Sequence, residues 1–332
     1  MPDQSEATAG IGETRAASIV HRPRALAPRP LWLWSDLAIA GSLAALLPVS
    51  WLLPEHTWSL LCRALARVPG LADRAMLGRT AGIIRAVLNE PAERAAAIAC
   101  DLQAAVYELR MQNLRAWRPG GWRPNIALDG EDHLLRARAR GKGAVLWVAH
   151  FAFNSNITKI ALHRRGYPVS HLSRPEHGFS KTRLGIALLN QVRCIPEDRC
   201  LARRIVFDRS TPQGAMRAMM RRLQAGDIVS ITAGAWEGTD LAEGPLLGGR
   251  LAVALGAPRL AALTGAELLP VFSVRDPKVG FRTVIEPPIA LPAGRRPEER
   301  CAAATAEYLR RHEYWVRTFP DQWRGWKEWR RA

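Results

Sequence analysis

Residues 1–30 show no apolar period and are rich in Ala, Pro, Ser and Arg, which predicts a disordered basic tail. The run "LWLWSDLAIAGSLAALLPVSWLLP", residues 31–54, is then apolar almost throughout. Trp32, Trp34 and Trp51 flank its centre, as tryptophans do at a membrane–water interface. Residues 37–53 come close to the roughly 20 apolar residues a span requires, with Asp36 and Pro48 as interruptions. The run lacks a small-residue cleavage site, so it does not read as a removed signal peptide. A membrane-anchoring segment, spanning or monotopic, is the preferred reading, and a buried core helix is the alternative.

Over residues 55–120 the apolar positions recur at helical spacing. In "RALARVPGLADRAMLGRTAGIIRAVL" arginines stand between them. This predicts a helical, membrane-facing region, whose arginines lie on anionic headgroups or form an ordinary solvated face. From about residue 121 the period changes. "GAVLWVAH", "YPVSHLS", "GDIVSITAG" and "AELLPVFSV" are short apolar runs rich in β-branched residues. "NITKIALHRRG", "TPQGAMRAMMRRLQAG" and "LAVALGAPRLAALTG" are helical in pattern. Such alternation predicts an α/β domain over residues 121–332: a central, mostly parallel sheet flanked by helices and preceded by the N-terminal apolar helix. Near the end, Trp323, Trp326 and Trp329 recur every three residues, as one packed stripe on a helix would.

Composition narrows the partners. The apolar fraction of 48% suffices for a sizeable core. A net charge of +17 favours polyanions: nucleic acid, an anionic membrane surface or phosphorylated substrates. Nucleic acid is set aside, because there is no zinc spacing, helix-turn-helix pattern or aromatic RNA motif, and the arginines are spread along the chain. Cys62, Cys100, Cys194, Cys200 and Cys301 make an odd set without a CxxC pair. Neither a disulfide framework nor a metal site is predicted, nor any cofactor, and a reducing cytoplasmic setting fits.

The candidate chemistry begins at "GAVLWVAHFAFNSN", residues 143–156, where an apolar strand runs into His150. Ligands of α/β folds bind at the carboxyl ends of strands. A neutral imidazole there can take the proton of a hydroxyl attacking an acyl carbonyl. Alone, such a histidine reads as structural, and the segments around it change that. They are "HFAFNS" itself, "SRPE" with Arg174, "RCIPEDR" ending at Arg199, and "AWEGTD" with Glu237, Gly238 and Thr239. "GAPRLAALTGAELLPVFSVRD" and the ending "FPDQWRGWKEW" complete the series.

In order and spacing, residues 120–330 resemble the bacterial lysophospholipid-type acyltransferases, above all the late lipid A acyltransferases. The resemblance implies a glycerolipid acyltransferase-like fold. It implies transfer of a fatty acyl chain from a thioester of acyl carrier protein or CoA to a hydroxyl of a membrane lipid or lipid A-like glycolipid. His150 would be the general base, and Arg174, Arg199, Gly238 and Thr239 would bind substrate. The place implied is the cytoplasmic face of the bacterial inner membrane, where an acidic carrier protein would suit a basic surface.

The chain departs from the family pattern in three places. The acid that follows the family's histidine by five positions is Ser155, whose hydroxyl can fix a tautomer but brings no charge. Ser155 also reads as the N-cap of the following helix. The Glu-Gly-Thr block ends in Asp240 where the family has arginine, and "ITAGAW" replaces an Asp-Gln pair. Ser155, Glu237 or a main-chain carbonyl is therefore the candidate to orient His150. A non-catalytic or thioesterase-like relative that binds acyl chains or lipid is the alternative function. Arg250 follows two glycines in "LLGGR", either an anion-binding approach or a plain turn.

Overall fold

The structure is a computed structural model that describes residues 17–21, 28–68, 73–207, 212–234, 238–292, 294 and 296–332, without the side chains of Ser155 and Pro212. Glu237 lies outside the described residues.

In chain order the elements begin with strand β1 (Ser18–His21) and helix α1 (Trp34–Leu52). Helices α2 (Trp58–Arg67), α3 (Arg74–Leu88) and α4 (Ala92–Arg115) follow, then β2 (Ile126–Asp129) and α5 (Glu131–Ala139). Next come β3 (Ala144–Val148), α6 (Asn154–Arg164), β4 (Val169–Ser173), α7 (Arg183–Ala187), α8 (Gln191–Asp198) and β5 (Arg203–Val206). Then follow α9 (Pro212–Gln224), β6 (Ile228–Thr232), β7 (Asp240–Leu246), β8 (Gly249–Ala254) and α10 (Gly256–Thr264). The chain ends with β9 (Glu267–Asp276), β10 (Gly280–Ile285), α11 (Pro297–Thr318), a 3-10 turn (Arg324–Lys327) and β11 (Arg330–Arg331).

The main sheet has the order β2-β10-β9-β3-β6-β4-β5. It is parallel from β9 through β3, β6 and β4 to β5, while β10 runs antiparallel to β9 and takes β2 with it. The alternation along β3 shows why the sheet is buried on both faces. Val145 and Trp147 join one core with α9, α10 and α11, where Trp147 stacks on Tyr308 at 4.1 Å. Ala144, Leu146 and Val148 point the other way, into a core with Leu134 of α5 and Leu162 of α6. The mostly parallel α/β arrangement predicted from the strand–helix alternation is the observed one.

Several local expectations differ. Ser18–His21, inside the predicted tail, forms β1 against β7, because β7 offers an open edge and the tail carries β-branched Ile19 and Val20. Strands β1, β7, β8 and β11 form a second, antiparallel sheet. The stretch read as one helix over residues 251–265 is strand to Ala254 and helix only from Gly256, since pairing with β7 claims its first residues. Trp326 lies on the 3-10 turn and Trp323 just before it, instead of on a helix, yet both are fully buried, with rings 4.8 Å apart.

Helix α1 is, among the described residues, the one helix long and apolar enough to cross a membrane. One side packs on α4, where Leu43 and Leu46 meet Tyr107 and Met111. The other side leaves Trp34 77% and Leu52 81% exposed. Asp36, which interrupts the apolar run, docks the helix start. It accepts from Leu33 N at 3.0 Å, Ser180 Oγ at 2.6 Å and Thr182 Oγ1 at 2.8 Å.

Candidate active site

Strands β3, β6, β4 and β5 present their carboxyl ends to one cleft of about 610 Å³, a size suited to a small-molecule ligand. His150 follows β3, Thr232 ends β6, Arg174 follows β4 and Phe207 follows β5, and all four line it. This is the position at which open α/β sheets bind ligands. Over the top comes the C-terminal segment. Phe151 bridges to Trp323, Arg324 N donates to His150 O at 3.1 Å, and Ala152 N donates to Gln322 O at 2.8 Å. Gln322 Oε1 in turn accepts from Arg275 N at 2.7 Å, tying the segment to β9. The tail therefore fixes the turn that carries His150 and brings Arg324 and Lys327 to the cleft wall.

The lining combines two chemistries. Leu172, Phe207, Ile231 and, one helical turn apart on α9, Met216 and Met220 are its apolar part. Arg174, Arg193, Arg217, Arg324 and Lys327 are cationic. Asp240 is the one acid on the described walls, and it is paired with Arg259 and with His21 Nδ1 at 2.7 Å. The Arg259 hydrogen bond is the main reason its carboxyl lies below the usual range. His150 keeps part of its surface open to the cleft. Burial, then Arg324, Lys327, Arg174 and Arg193, push its imidazole well below the ordinary 6.5, so it is neutral at neutral pH. Arg324 is itself pushed down to about 10, by burial and by Arg193, and stays charged.

Behind the cleft lies a closed charge cluster. Glu197, 4% exposed, accepts from Lys159 Nζ at 2.6 Å, Arg193 Nε at 2.7 Å, Arg204 at 3.0 Å and His177 Nε2 at 2.8 Å. Burial pulls Lys159 down to about 8 and His177 down to about 3. The Glu197 carboxyl is held well below its usual value by His177, Lys159 and Arg193, which together outweigh its burial. Arg193 and His177 also line the cleft, so Glu197 sets the orientation of two wall residues.

The structure brings His150, Arg174, Gly238 and Thr239 together on this cleft. A Cβ at Gly238 would lie 2.7 Å from the Ala254 Cβ and 2.9 Å from Leu241 Cδ2, so β7 and β8 leave room there for glycine only. Ser155 falls in the first turn of α6, whose N-cap position is Phe153, so Ser155 is not the N-cap. Arg199 and Arg250 lie away from the cleft walls. Arg199 caps α8 with its guanidinium over Trp117 at 5.6 Å, and Arg250 on β8 faces Glu243 Oε2 at 3.3 Å. Arg193, Arg324, Lys327, His177 and Asn154 were not singled out from the sequence. The tail motif was the available signal, since an arginine between buried tryptophans must face something other than core. Among the described residues no cluster of His, Cys, Asp and Glu is arranged to hold a metal.

A mostly parallel sheet with a histidine after a central strand, on a cleft lined by apolar and cationic side chains, defines an α/β protein with a ligand-sized cleft at the carboxyl ends of its strands. The family model described as bacterial lipid A biosynthesis acyltransferase matches residues 38–328, and the chain belongs to that family. It is accordingly an enzyme of the acyltransferase class, working with an acyl donor and a lipid acceptor, and the family together with the apolar helix α1 suggests association with a membrane. Comparison with individual curated proteins gives no match.

Proposed function

We propose that the cleft binds a fatty acyl thioester, of acyl carrier protein or of CoA, beside a hydroxyl of a membrane lipid or lipid A-like glycolipid, and that His150 is the general base. The observation that carries this reading is the place of His150: at the carboxyl end of β3, in a cleft lined by both apolar and cationic side chains. The apolar lining suits the acyl chain, and the cations suit phosphate on donor or acceptor. In the reaction, the hydroxyl oxygen attacks the thioester carbon as its proton passes to His150. Collapse of the tetrahedral intermediate breaks the C–S bond, and the imidazolium returns the proton to sulfur.

Burial and, after it, the four cations around His150 lower its basicity. A phosphate bound among them would cancel part of that field and raise the imidazole's proton affinity as the substrate arrives. Ser155, at the motif's acid position, and Glu237 remain the residues assigned to orient His150. Arg174, Gly238 and Thr239 are assigned to the ligand. Helix α1, with Trp34 and Leu37 exposed near its start, would hold the enzyme on the cytoplasmic face of the inner membrane, with the helices after it facing the headgroups. The test is incubation of the purified protein with labelled acyl-carrier and acyl-CoA thioesters and total membrane lipid, read by mass spectrometry. A new acylated lipid formed by the wild type is the expected result. No acylated product with either donor would overturn the reading.

A further inference from the structure

Asn154 opens α6, four positions beyond His150, and lines the same cleft. It is 3% exposed. Its amide is held from behind: Oδ1 accepts from Thr158 Oγ1 at 2.9 Å. Thr158 Oγ1 lies 2.8 Å from Ser273 Oγ, which lies 2.8 Å from Thr283 Oγ1. All of these hydroxyls are buried. With Thr283 donating to Ser273 and Ser273 to Thr158, Ser273 and Thr158 each give and receive one hydrogen, and the chain ends on the Asn154 carbonyl oxygen. What remains is the amide Nδ2, and among the described residues it has no hydrogen-bond partner. A buried donor without an acceptor is costly, and folded chains seldom keep one without a use.

We propose that Asn154 Nδ2 donates the hydrogen bond that stabilises the oxyanion formed on the acyl carbonyl during transfer. The proposal rests on the acyl-transfer reading above. When the hydroxyl oxygen bonds to the thioester carbon, the carbonyl's second electron pair moves onto oxygen, and that oxygen becomes the acceptor Nδ2 lacks. When the C–S bond breaks, the pair returns and the carbonyl re-forms. Two neighbouring main-chain donors are engaged elsewhere, Phe151 N by Ala149 O and Ala152 N by Gln322 O. The start of α6 adds the positive end of a helix dipole on the same side.

The test compares two pantetheine probes of equal chain length on the full chain: an alkylphosphonate ester, whose anionic oxygens mimic the oxyanion, and an alkyl thioether, which has no such oxygen. Asn154→Ala is expected to weaken the phosphonate about 10- to 150-fold, the range for a hydrogen bond to a charged group, and to leave the thioether unchanged. In the transfer assay kcat falls about 10²- to 10³-fold with KM steady. Isosteric Asn154→Asp does no better than alanine. Where alanine lowers the melting temperature, Asn154→Ser goes through the same two-probe comparison. Equal loss of both probes, loss of neither, or a wild-type rate in Asn154→Asp would overturn the proposal. A wild type that distinguishes the probes through Asn154 but transfers no acyl group upholds the donor site and overturns the acyl-transfer reading instead.

Discussion

Two groups of positive side chains lie back to back in the α/β domain, and they are used in opposite ways. Around Glu197, three cations and a histidine converge on one buried carboxylate, every contact at 3.0 Å or less. Around His150, Arg174, Arg324 and Lys327 face a cleft whose only described acid, Asp240, is taken by Arg259 and His21. Cations gathered around a buried carboxylate are framework, because their charge is met inside the fold. Cations that line an open cleft hold a potential that a bound anion can satisfy. Arg193 belongs to both groups: its Nε is fixed by Glu197 and it forms part of the cleft wall.

The largest effect should come from the open group. His150→Ala is expected to reduce acyl transfer about 10²- to 10⁴-fold, the range for loss of a general base, while thermal unfolding stays near wild type. Full activity in this variant would break the mechanism, and with it the reason for keeping cations around a neutral imidazole.

The closed group should answer in stability. Glu197→Gln leaves Lys159 and Arg193 buried without their counter-ion and Arg204 with Asp198 alone, and breaking such a buried group typically costs about 3–5 kcal/mol. Its carboxyl is held below 4.5 in the fold, so its contribution is complete above the unfolded carboxylate value and drains as pH falls toward the folded one. His312 acts in the same direction on its own. Burial brings it down to about 3, and neither ring nitrogen has a partner. Below pH 6.5 the unfolded chain takes up a proton that the native His312 refuses, so stability falls by about 1.4 kcal/mol per pH unit until about pH 3. Denaturant titrations from pH 7 to pH 4 on both Glu197→Gln and His312→Leu check this. A wild-type midpoint in Glu197→Gln would mean that the cluster is not framework.

How far the sequence revealed these two groups follows from what each kind of residue looks like in a row of letters. Strands β3, β4, β6 and β9 were legible because burial on both faces leaves short, nearly unbroken apolar runs. His150 was legible because it ends one of them. The second sheet was not. Gly244 and Pro245 interrupt β7, and "LAVA" of β8 fits a helix as well as a strand until β7 claims it. Arginines were the hardest, because a buried arginine and a solvated one are the same letter. The segment "RCIPEDR" was read for its last residue, Arg199, whereas the fold puts its first, Arg193, on the cleft and its glutamate at the hub. Arg324 was hidden for the same reason, and only the return of the tail over His150 identifies it.

Arg324 offers a sharper probe of the open group than its removal from a binding list would suggest. Arg324→Gln should lower kcat/KM about 10- to 150-fold if the guanidinium meets an anion. It should also move the acid limb of the pH profile. Arg324 is the first cation among those that depress the His150 imidazole, so the wild-type limb lies below 6.5 and the variant's limb shifts upward toward it. A limb that stays put would show that the field of Arg324 does not reach the base.

The smallest effect is expected at the two arginines that the sequence nominated and the fold sets apart. Arg199 reaches only the Ala116 carbonyl, at 3.4 Å, and the face of Trp117. Arg250 is occupied by Glu243 and Ser18, bracing β8 against β7 and β1. Neither side chain lines the cleft. Arg199→Ala and Arg250→Ala should each change stability by less than about 1 kcal/mol, as exposed pairs do, and leave kcat/KM within about two-fold of wild type. A ten-fold fall in kcat/KM for Arg199→Ala, with the melting temperature unchanged, would place an anionic part of the substrate outside the cleft, along α8. The contrast between a closed hub and an open mouth would then have to include a third cationic surface.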